Sequence, residues 1–367
     1  DERLPSYLQA VDEAGIKITI DIHSIGATHP NTYKITLKND KETRSVIALS
    51  TGGGMIQLIE IDGASGLMAG DFYETLVYVK SGEQVIEFLK GSASFDEINV
   101  HHGDATFVEV KADQFLNPGL IEELMEMDDV LFIKQLSPVL PVLARKDLSV
   151  PFITAAEMLE YNEGKDLSLW ELAVHYESAR GNISHDAVFE KMRHIVGIMS
   201  NAIELGLKGT SYEDRILGPQ SVNFNKQIKR KTLVEGDVLN QVILYTSAMM
   251  EVKSSMGVIV AAPTAGSCGA LPGAVIGTAN ILKLSEEDKV KAMLAAGIIG
   301  VFIAAHATFA AEVGGCMAEC GSGSGMAAAG IVTLRNGTLN QAWAAASMSL
   351  QSSLGMICDM IADRVEA

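Results

Sequence analysis

The chain has 367 residues and a formal net charge of −18, with 48 % hydrophobic and only 6 % aromatic residues. This length can bury a large core and accommodates two or three domains. The acidic balance argues against nucleic acid or an anionic membrane surface as the main partner. The apolar content is mostly Ala, Val, Ile, Leu and Met, which suits close-packed helices.

The first 66 residues are expected to be rich in strands. Alternating β-branched residues broken by turn residues predict antiparallel strands at 17–26, 32–39 and 45–63. The loop THPNT contains His29, which is either a general acid–base group or a surface histidine. Three successive glycines at 52–54 indicate a close approach of backbone or ligand.

Residues 67–140 are predicted to form a second α/β unit. The segments ETLVYVKS, EQVIEFLKG, SFDEINVHH, DATFVEVKA, PGLIEELMEM and VLFIKQLSP follow the order β-α-β-β-α-β of a split βαβ fold. Small modules of this kind often sense amino acids, although the fold alone does not establish a function. The stretch SPVLPVLARKDLSVPF, with three prolines, is predicted to link this unit to the rest of the chain.

From residue 150 onward the chain is predicted to be all-α, which makes the whole protein α+β. Capping boxes mark helix starts at Thr154, Ser168, Ser285 and Thr338. The predicted helices are 155–162, 169–180, 186–205, 235–256, 269–283, 286–311, 324–335 and 339–357.

Charge is scarce in the last third of the chain, as in the interior of a helical bundle. Residues 254–367 carry only thirteen charged side chains, and 292–311 carry none. A stretch of this length could span a bilayer. We favour a buried helix, because Ala and Gly contribute little insertion energy, His306 and Thr308 interrupt the stretch, and no basic flank sets a topology.

The segment VIVAAPTAGSCGALPGAVIG at 258–277 is a candidate binding turn. A Gly/Ser turn at the start of a helix exposes backbone N–H groups and the positive end of the helix dipole, which suits a carboxylate. It lacks the Gly-Lys-Ser/Thr of a phosphate-binding P-loop. The alternative is an ordinary connection between helices.

Four cysteines occur, all in the last hundred residues: Cys268, Cys316, Cys320 and Cys358. They are too few for a secreted disulfide framework, and no secretory signal opens the chain, so a reducing, cytoplasmic compartment is expected. The glycines around Cys316 predict a loop wrapping a cofactor rather than a regular helix. Thiolates select zinc or iron–sulfur clusters, but without a CxxC pair buried inert cysteines remain an alternative. His306 is either a core histidine or a group near such a site.

Four segments together resemble the iron–sulfur-dependent L-serine dehydratases, also called L-serine ammonia-lyases. They are THPNT with the downstream GGG, then APTAGSCGALPG, AEVGGCMAECGSGSGMAAAG and LGMICDMIADRVEA. The resemblance implies part of a β-type domain at 1–66, an ACT-like regulatory module at 67–140 and an all-α catalytic domain at 150–367.

The resemblance also implies a [4Fe–4S] cluster held by three cysteines. Cys316 and Cys358 match two of them, and the third would lie just past Ala367. A Ser-rich motif ending in His-Thr would precede Asp1, so we expect the sequence to start and stop inside a longer gene product. Cys268 and Cys320 match no ligand, and Ala265 stands where many relatives have Asn.

The implied reaction is loss of water from L-serine, giving pyruvate and ammonia. His29 would serve in acid–base catalysis, and Ser322 and Ser324 would line the cluster pocket. The implied substrate-binding residues are Thr264, Gly266, Ser267 and Gly269. A cytoplasmic homodimer acting on an amino acid, without nucleic acid or membrane, is expected. The alternatives are a cluster-dependent lyase acting on L-cysteine or L-threonine, or a non-catalytic amino-acid-binding regulatory protein.

Overall fold

The computed structural model describes residues 3–52, 55–140, 149–213 and 215–356. Two antiparallel sheets occupy the first part of the chain, and ten helices of the described residues follow from Ala155 onward. The predicted α+β class is confirmed at this level.

The first sheet follows a short helix, α1, at Tyr7–Glu13. Its four antiparallel strands lie in the order β1-β2-β3-β4. They are β1 at Thr32–Lys38, β2 at Thr43–Gly52, β3 at Met55–Ile61 and β4 at Ala64–Met68. The strand predicted at 32–39 is confirmed. The strand predicted at 45–63 is two paired strands, β2 and β3, and Gly53 and Gly54 lie outside the described residues.

The strand predicted at 17–26 is wrong. This segment belongs to neither sheet, and its isoleucines are exposed, with Ile20 at 78 % and Ile22 at 94 %. Alternating isoleucines favour an extended chain, but a strand also needs a neighbour to receive its backbone hydrogen bonds and a core to bury one face. The described residues provide neither for this segment.

The second sheet has the predicted β-α-β-β-α-β element order. Its elements are β5 at Tyr73–Val79, α2 at Glu83–Ser92, β6 at Glu97–His102, β7 at Thr106–Ala112, α3 at Pro118–Met125 and β8 at Val130–Leu136. The strands lie antiparallel in the order β6-β7-β5-β8. Apolar residues of the two helices, such as Leu89 and Leu124, are fully buried against Val77 and Val108 of the sheet.

The opposite face of the second sheet packs on the first sheet. Tyr78 and Phe107 form one apolar cluster with Met68 and its neighbours. Asp62, 5 % exposed, accepts hydrogen bonds from the Tyr78 hydroxyl at 3.0 Å and from the Arg44 guanidinium at 3.1 Å. The two sheets therefore share an apolar layer with a paired buried carboxylate.

A second polar cluster lies between the sheets. His101 joins them, because its Nδ1 lies 2.7 Å from the carbonyl oxygen of Ser65 and its Nε2 lies 2.9 Å from Glu109 Oε2. Glu74 is only 2 % exposed, and within the described residues its carboxylate oxygens lack a hydrogen-bond partner. Burial and the adjacent charge of Glu109 raise the pKa of Glu74 to about 8.

The helical part confirms all four predicted capping boxes, at Thr154, Ser168, Ser285 and Thr338. Two helices, α7 and α11, were not predicted. The helices are α4 at Ala155–Asn162, α5 at Leu169–Gly181, α6 at His185–Lys208, α7 at Ser221–Arg230, α8 at Asp237–Ser254, α9 at Ala270–Ile281, α10 at Glu286–His306, α11 at Ala311–Cys316, α12 at Ser322–Leu334 and α13 at Leu339–Ser352.

Helix α10 is the central helix of this part and contacts α5, α6, α9 and α12. Among the described residues it alone is long and apolar enough to cross a membrane, and 61 % of its apolar window is buried inside the protein. It ends at His306, five residues before the predicted end, because Ala307 adopts an extended conformation.

Glycines allow some of these helices to approach closely. A Cβ at Gly206 of α6 would overlap the backbone of Ala248 in α8, whereas a Cβ at Gly197 of α6 would meet nothing within 4 Å. A Cβ at Gly269 would lie 2.7 Å from the carbonyl oxygen of Thr246, so this glycine holds the start of α9 against α8.

Candidate active site

Three distant segments meet at one end of the helical part. They are the turn before α9, the segment from α11 to α12, and the end of α13. A Cβ at Gly323 would lie 3.4 Å from Pro263, and one at Gly321 would lie 3.2 Å from the hydroxyl of Ser353. The packing therefore brings residues near 265, 320 and 353 together.

The segment around Cys316 is an irregular helix, so the predicted absence of a regular helix is confirmed and the predicted loop is wrong. Helix α11 breaks at Gly315, where φ is 62° and ψ is −159°, and a π-helical turn at Met317–Gly321 then leads into α12. Most glycines here serve packing instead of a loop. A Cβ at Gly321 would lie 2.6 Å from Met317 Sδ, and one at Gly325 would lie 2.8 Å from Leu350.

The turn Thr264–Gly269 is held by buried hydroxyl groups. Thr264 and Ser267 are 3 % and 1 % exposed, and their hydroxyl oxygens lie 3.0 Å apart. Thr264 Oγ1 donates to Glu319 Oε1 at 2.7 Å. Because this uses the single hydrogen of the Thr264 hydroxyl, Ser267 must be the donor in their mutual bond. Ala265 and Gly266 form the more accessible tip of the turn.

Glu319 is a candidate site residue that our sequence analysis missed. Its carboxylate is half-buried in the π-helical turn and bonds to a predicted substrate-binding residue 55 positions earlier. A sequence signal was available. Between residues 292 and 334 only Glu312 and Glu319 are charged, and a charge inside an apolar helical stretch usually has a partner or a function.

The loop carrying His29 is attached to this region by the other isolated carboxylate. The side-chain amide of Asn31 donates to Glu312 Oε1 in the first turn of α11, four residues before Cys316. His29 is half-buried, and its Nδ1 accepts a hydrogen bond from the backbone N–H of Asn31 at 3.1 Å. Thr32 Oγ1 donates to the carbonyl oxygen of His29 at 2.7 Å.

An apolar cavity of about 540 Å³ adjoins the π-helical turn. Its wall includes Met317, Ser322, Trp343 and His306. Ser322 is 3 % exposed, and Ser324 Oγ donates to the carbonyl oxygen of Gly321 at 2.7 Å. His306 is exposed, so the core-histidine alternative is wrong and the residue borders this cavity instead.

The cysteines differ in their surroundings. Cys268 is fully buried, with Sγ 3.8 Å from Met250 Sδ, and burial raises the pKa of its thiol to about 12. It therefore stays a neutral, packed thiol. Cys316 and Cys320 are half-buried, and none of these three cysteines is in a disulfide.

The cysteines expected to bind a cluster are Cys316 and Cys358. Within the described residues no group of three or more His, Cys, Asp or Glu side chains is arranged to hold a metal ion. Cys358 lies outside the described residues. Cys316 follows Gly314 and precedes Met317, and both of these line the cavity. Cys316 itself is not among the residues that line the cavity, so its support for an iron–sulfur cluster is the donor chemistry of a soft thiol.

Comparison with known proteins matches the helical part. The profile of the family described as serine dehydratase alpha chain matches residues 164–367. A probable L-serine dehydratase alpha chain of Bacillus subtilis is 31 % identical over 215 residues, covering 59 % of this chain and 72 % of the relative.

Two further relatives agree. The L-serine dehydratase alpha chain of Peptoniphilus asaccharolyticus is 31 % identical over 215 residues, 58 % of this chain and 73 % of the relative. L-serine dehydratase TdcG of Escherichia coli is 31 % identical over 232 residues, 60 % of this chain and 50 % of the relative. The profile match includes Thr264–Gly269 and Cys316–Ser324, whereas His29 precedes it.

Proposed function

Because the chain belongs to the serine dehydratase alpha chain family, we propose that it is an L-serine dehydratase. The reaction removes the α-proton and the hydroxyl group of L-serine to give aminoacrylate, which tautomerises and hydrolyses to pyruvate and ammonia. The observation that carries this proposal is the hydrogen bond between Thr264 and Glu319. It ties the candidate substrate turn to the turn that follows Cys316, and both lie within the family match.

The turn Thr264–Gly269 is the proposed substrate-binding element. The N–H groups of Ser267 and Cys268 donate within the turn, to Thr264 Oγ1 and to the carbonyl oxygen of Ala265. The backbone N–H groups of Gly266, at the accessible tip, and of Gly269, directly ahead of the twelve-residue helix α9, are the ones proposed to bind a carboxylate. Thr264 and Ser267 do not contact the substrate in this proposal. Their buried hydroxyl groups bond to each other and fix the shape of the turn. Gly269 allows the start of α9 to pack closely on α8, and this packing fixes the position of the turn relative to α8.

His29 is the proposed acid–base group. Since its Nδ1 accepts from the Asn31 backbone, a neutral imidazole carries its proton on Nε2. This tautomer suits His29 to donate a proton to the departing hydroxyl group, which then leaves as water. The bond from Asn31 to Glu312 keeps the loop beside α11.

Cys316 and Cys358 are the proposed protein ligands of a [4Fe–4S] cluster, and Ser322 and Ser324 are the proposed lining residues of its pocket. Of the two serines, Ser322 borders the cavity. When bound, a cluster with one iron that lacks a cysteine ligand supplies a Lewis acid for the substrate hydroxyl. Hydroxide is a poor leaving group, so this assistance suits the reaction. Cys268 and Cys320 are proposed to pack.

The strand-rich part is proposed to comprise residues 1–66 of a β-type domain and an ACT-like regulatory module at 67–140, ahead of the catalytic domain at 150–367. The β-α-β-β-α-β topology supports the module. The proposed boundary between residues 66 and 67 falls inside strand β4, Ala64–Met68, so the last two residues of this strand belong to the proposed module. We further propose a cytoplasmic homodimer without a nucleic-acid or membrane partner.

The function is tested on the full-length gene product after anaerobic reconstitution with iron and sulfide. We expect brown protein with broad visible absorbance that forms pyruvate and ammonia from L-serine. A parallel assay with L-threonine and L-cysteine separates the related lyases, because L-cysteine would yield sulfide. Binding of L-serine without any product, or full activity in colourless protein, would contradict the proposal.

A further inference from the structure

Glu319 holds an uncommon position for a carboxylate. It is the only charged residue between Val313 and Leu334, and it is half-buried in the π-helical turn. A charge removed from water in this way needs compensation from nearby polar groups. Its observed partner is the hydroxyl of Thr264, which bonds to Oε1.

The carboxylate also lies directly over the tip of the substrate turn. A Cβ built on Gly266 would fall 2.5 Å from Oε1 and 2.8 Å from Oε2 of Glu319. The carboxylate thus fills the space that a side chain at Gly266 would need. Both oxygens face the accessible part of the turn, and the Thr264 hydroxyl engages Oε1.

An α-amino acid presents two opposite charges at one carbon atom. The backbone N–H groups of the turn suit its carboxylate, but they repel its ammonium group. An ammonium group removed from water requires an anionic acceptor, and charge-assisted bonds of this kind are stronger than neutral ones. Glu319 supplies such an acceptor at the same turn.

We propose that Glu319 binds the α-ammonium group of the amino-acid substrate, with Oε2 as the main acceptor and Oε1 held by Thr264. This assignment rests on the proposed function and adds the group that selects the substrate class. It makes the site specific for α-amino acids over the corresponding hydroxy acids. It also explains why glycine stands at position 266, since any larger residue displaces the carboxylate.

The test compares two ligands on the full-length protein, with KM measured for L-serine, which the enzyme converts, and the inhibition constant measured for 3-hydroxypropanoate. L-Serine carries the ammonium group, and 3-hydroxypropanoate is the same molecule without it. Wild-type protein is expected to prefer L-serine. Glu319→Gln should weaken L-serine binding about 10- to 100-fold, while binding of 3-hydroxypropanoate stays within about twofold.

Two variants separate this role from a structural one. Thr264→Val removes the hydrogen bond to Glu319 but keeps the carboxylate, so the preference for L-serine over 3-hydroxypropanoate should persist even if both bind less well. Glu204→Gln, on the exposed face of α6, removes one negative charge elsewhere and should change neither affinity.

The outcomes distinguish the two proposals. If the wild type binds and converts L-serine but Glu319→Gln loses affinity equally for both ligands, the role of Glu319 is wrong and the function stands. Direct ammonium binding would also be contradicted if Thr264→Val, which keeps the carboxylate, lost the preference for L-serine over 3-hydroxypropanoate. If the wild type does not bind L-serine, the proposed function fails first. Should Glu319→Gln not fold, Glu319→Asp, which keeps the charge, must retain a preference for L-serine.

Discussion

The side-chain amide of Asn31 donates a hydrogen bond to the carboxylate of Glu312, across 281 positions of the chain. This bond joins the loop that carries His29 to the helix that ends at Cys316. The acid–base candidate comes from the strand-rich part and the cluster candidate from the helical part. This bond therefore contributes to their relative position.

Changing Asn31 to Asp should reduce catalysis with little change in stability. The substitution replaces a hydrogen bond by repulsion between two carboxylates, which moves the His29 loop away from α11. We expect kcat/KM for L-serine to fall about 10-fold, equivalent to about 1.4 kcal/mol of transition-state stabilisation. The rate of pyruvate formation measures the loss of catalysis, and thermal unfolding measures the change in stability.

The control is the double variant Asn31→Asp with Glu312→Gln, in which the hydrogen bond can reform in the opposite direction. Activity should recover in large part. If the double variant is as impaired as Asn31→Asp alone, the contact does not position the loop.

Substituting Cys316 by Ser should abolish both visible absorbance and turnover, because a hydroxyl group is a poor ligand for iron in a sulfur cluster. Cys320→Ser is the matched control, four residues away in the same segment and also half-buried. It should retain iron and most activity. Iron and sulfide content are measured after reconstitution, and equal losses in the two variants would show that Cys316 is not the distinctive ligand.

Stability should fall as the pH rises because of Glu74. Its pKa is raised from 4.5 to about 8 by burial and by the charge of Glu109. Between these values the folded protein keeps a proton that the unfolded chain releases. The contribution is therefore fully present below about pH 4.5 and is lost as the pH rises toward 8.

Glu74→Gln should remove this dependence, because the amide stays neutral at every pH. Relative to wild type, the variant should melt at nearly the same temperature at pH 5 and at a higher temperature at pH 8.5. Glu87→Gln, on the exposed side of α2, is the control and should shift neither value. If the melting temperature changed between pH 5 and pH 8.5 by the same amount in Glu74→Gln as in wild type, the assignment of a neutral Glu74 would be contradicted.

Two glycines of α6 should respond oppositely to replacement by alanine. Gly206→Ala places a methyl group against the backbone of Ala248, so we expect a loss of about 1–3 kcal/mol in the free energy of unfolding. Gly197→Ala meets nothing within 4 Å and should gain about 0.5–1 kcal/mol from helix propensity. Urea unfolding measures both, and similar signs would contradict the close packing of α6 and α8.

Local signals in the sequence predicted local structure well. The capping box at Ser285 gives the start of α10 because Ser285 and Asp288 bond to each other's backbone within one turn. No comparable signal marks its C-terminal end. There the chain leaves the helix at Ala307, a residue with no intrinsic tendency to stop one.

Non-local requirements explain the failures. Residues 17–26 have the alternation of a strand, yet a strand exists only with a neighbour that the sequence does not reveal. The glycines near Cys316 were interpreted as a loop, whereas Gly321 and Gly325 make room for Met317 and Leu350. The contact of Glu319 with Thr264 joins residues 55 positions apart, so only the isolation of its charge hinted at a function.

The π-helical turn at Met317–Gly321 has a consequence for insertions and deletions. A π turn carries one residue more than the hydrogen bonding of an α-helix would hold, and each residue of an α-helix rotates the chain by about 100°. One residue added to or removed from a regular α-helix would turn its two halves by that angle, whereas the wider π turn accommodates its extra residue locally. Removing that residue would narrow the turn that follows Cys316 and carries Glu319, while the packed faces of α12 stayed in place. Chain length in this segment is therefore a determinant of activity in its own right, separate from residue identity.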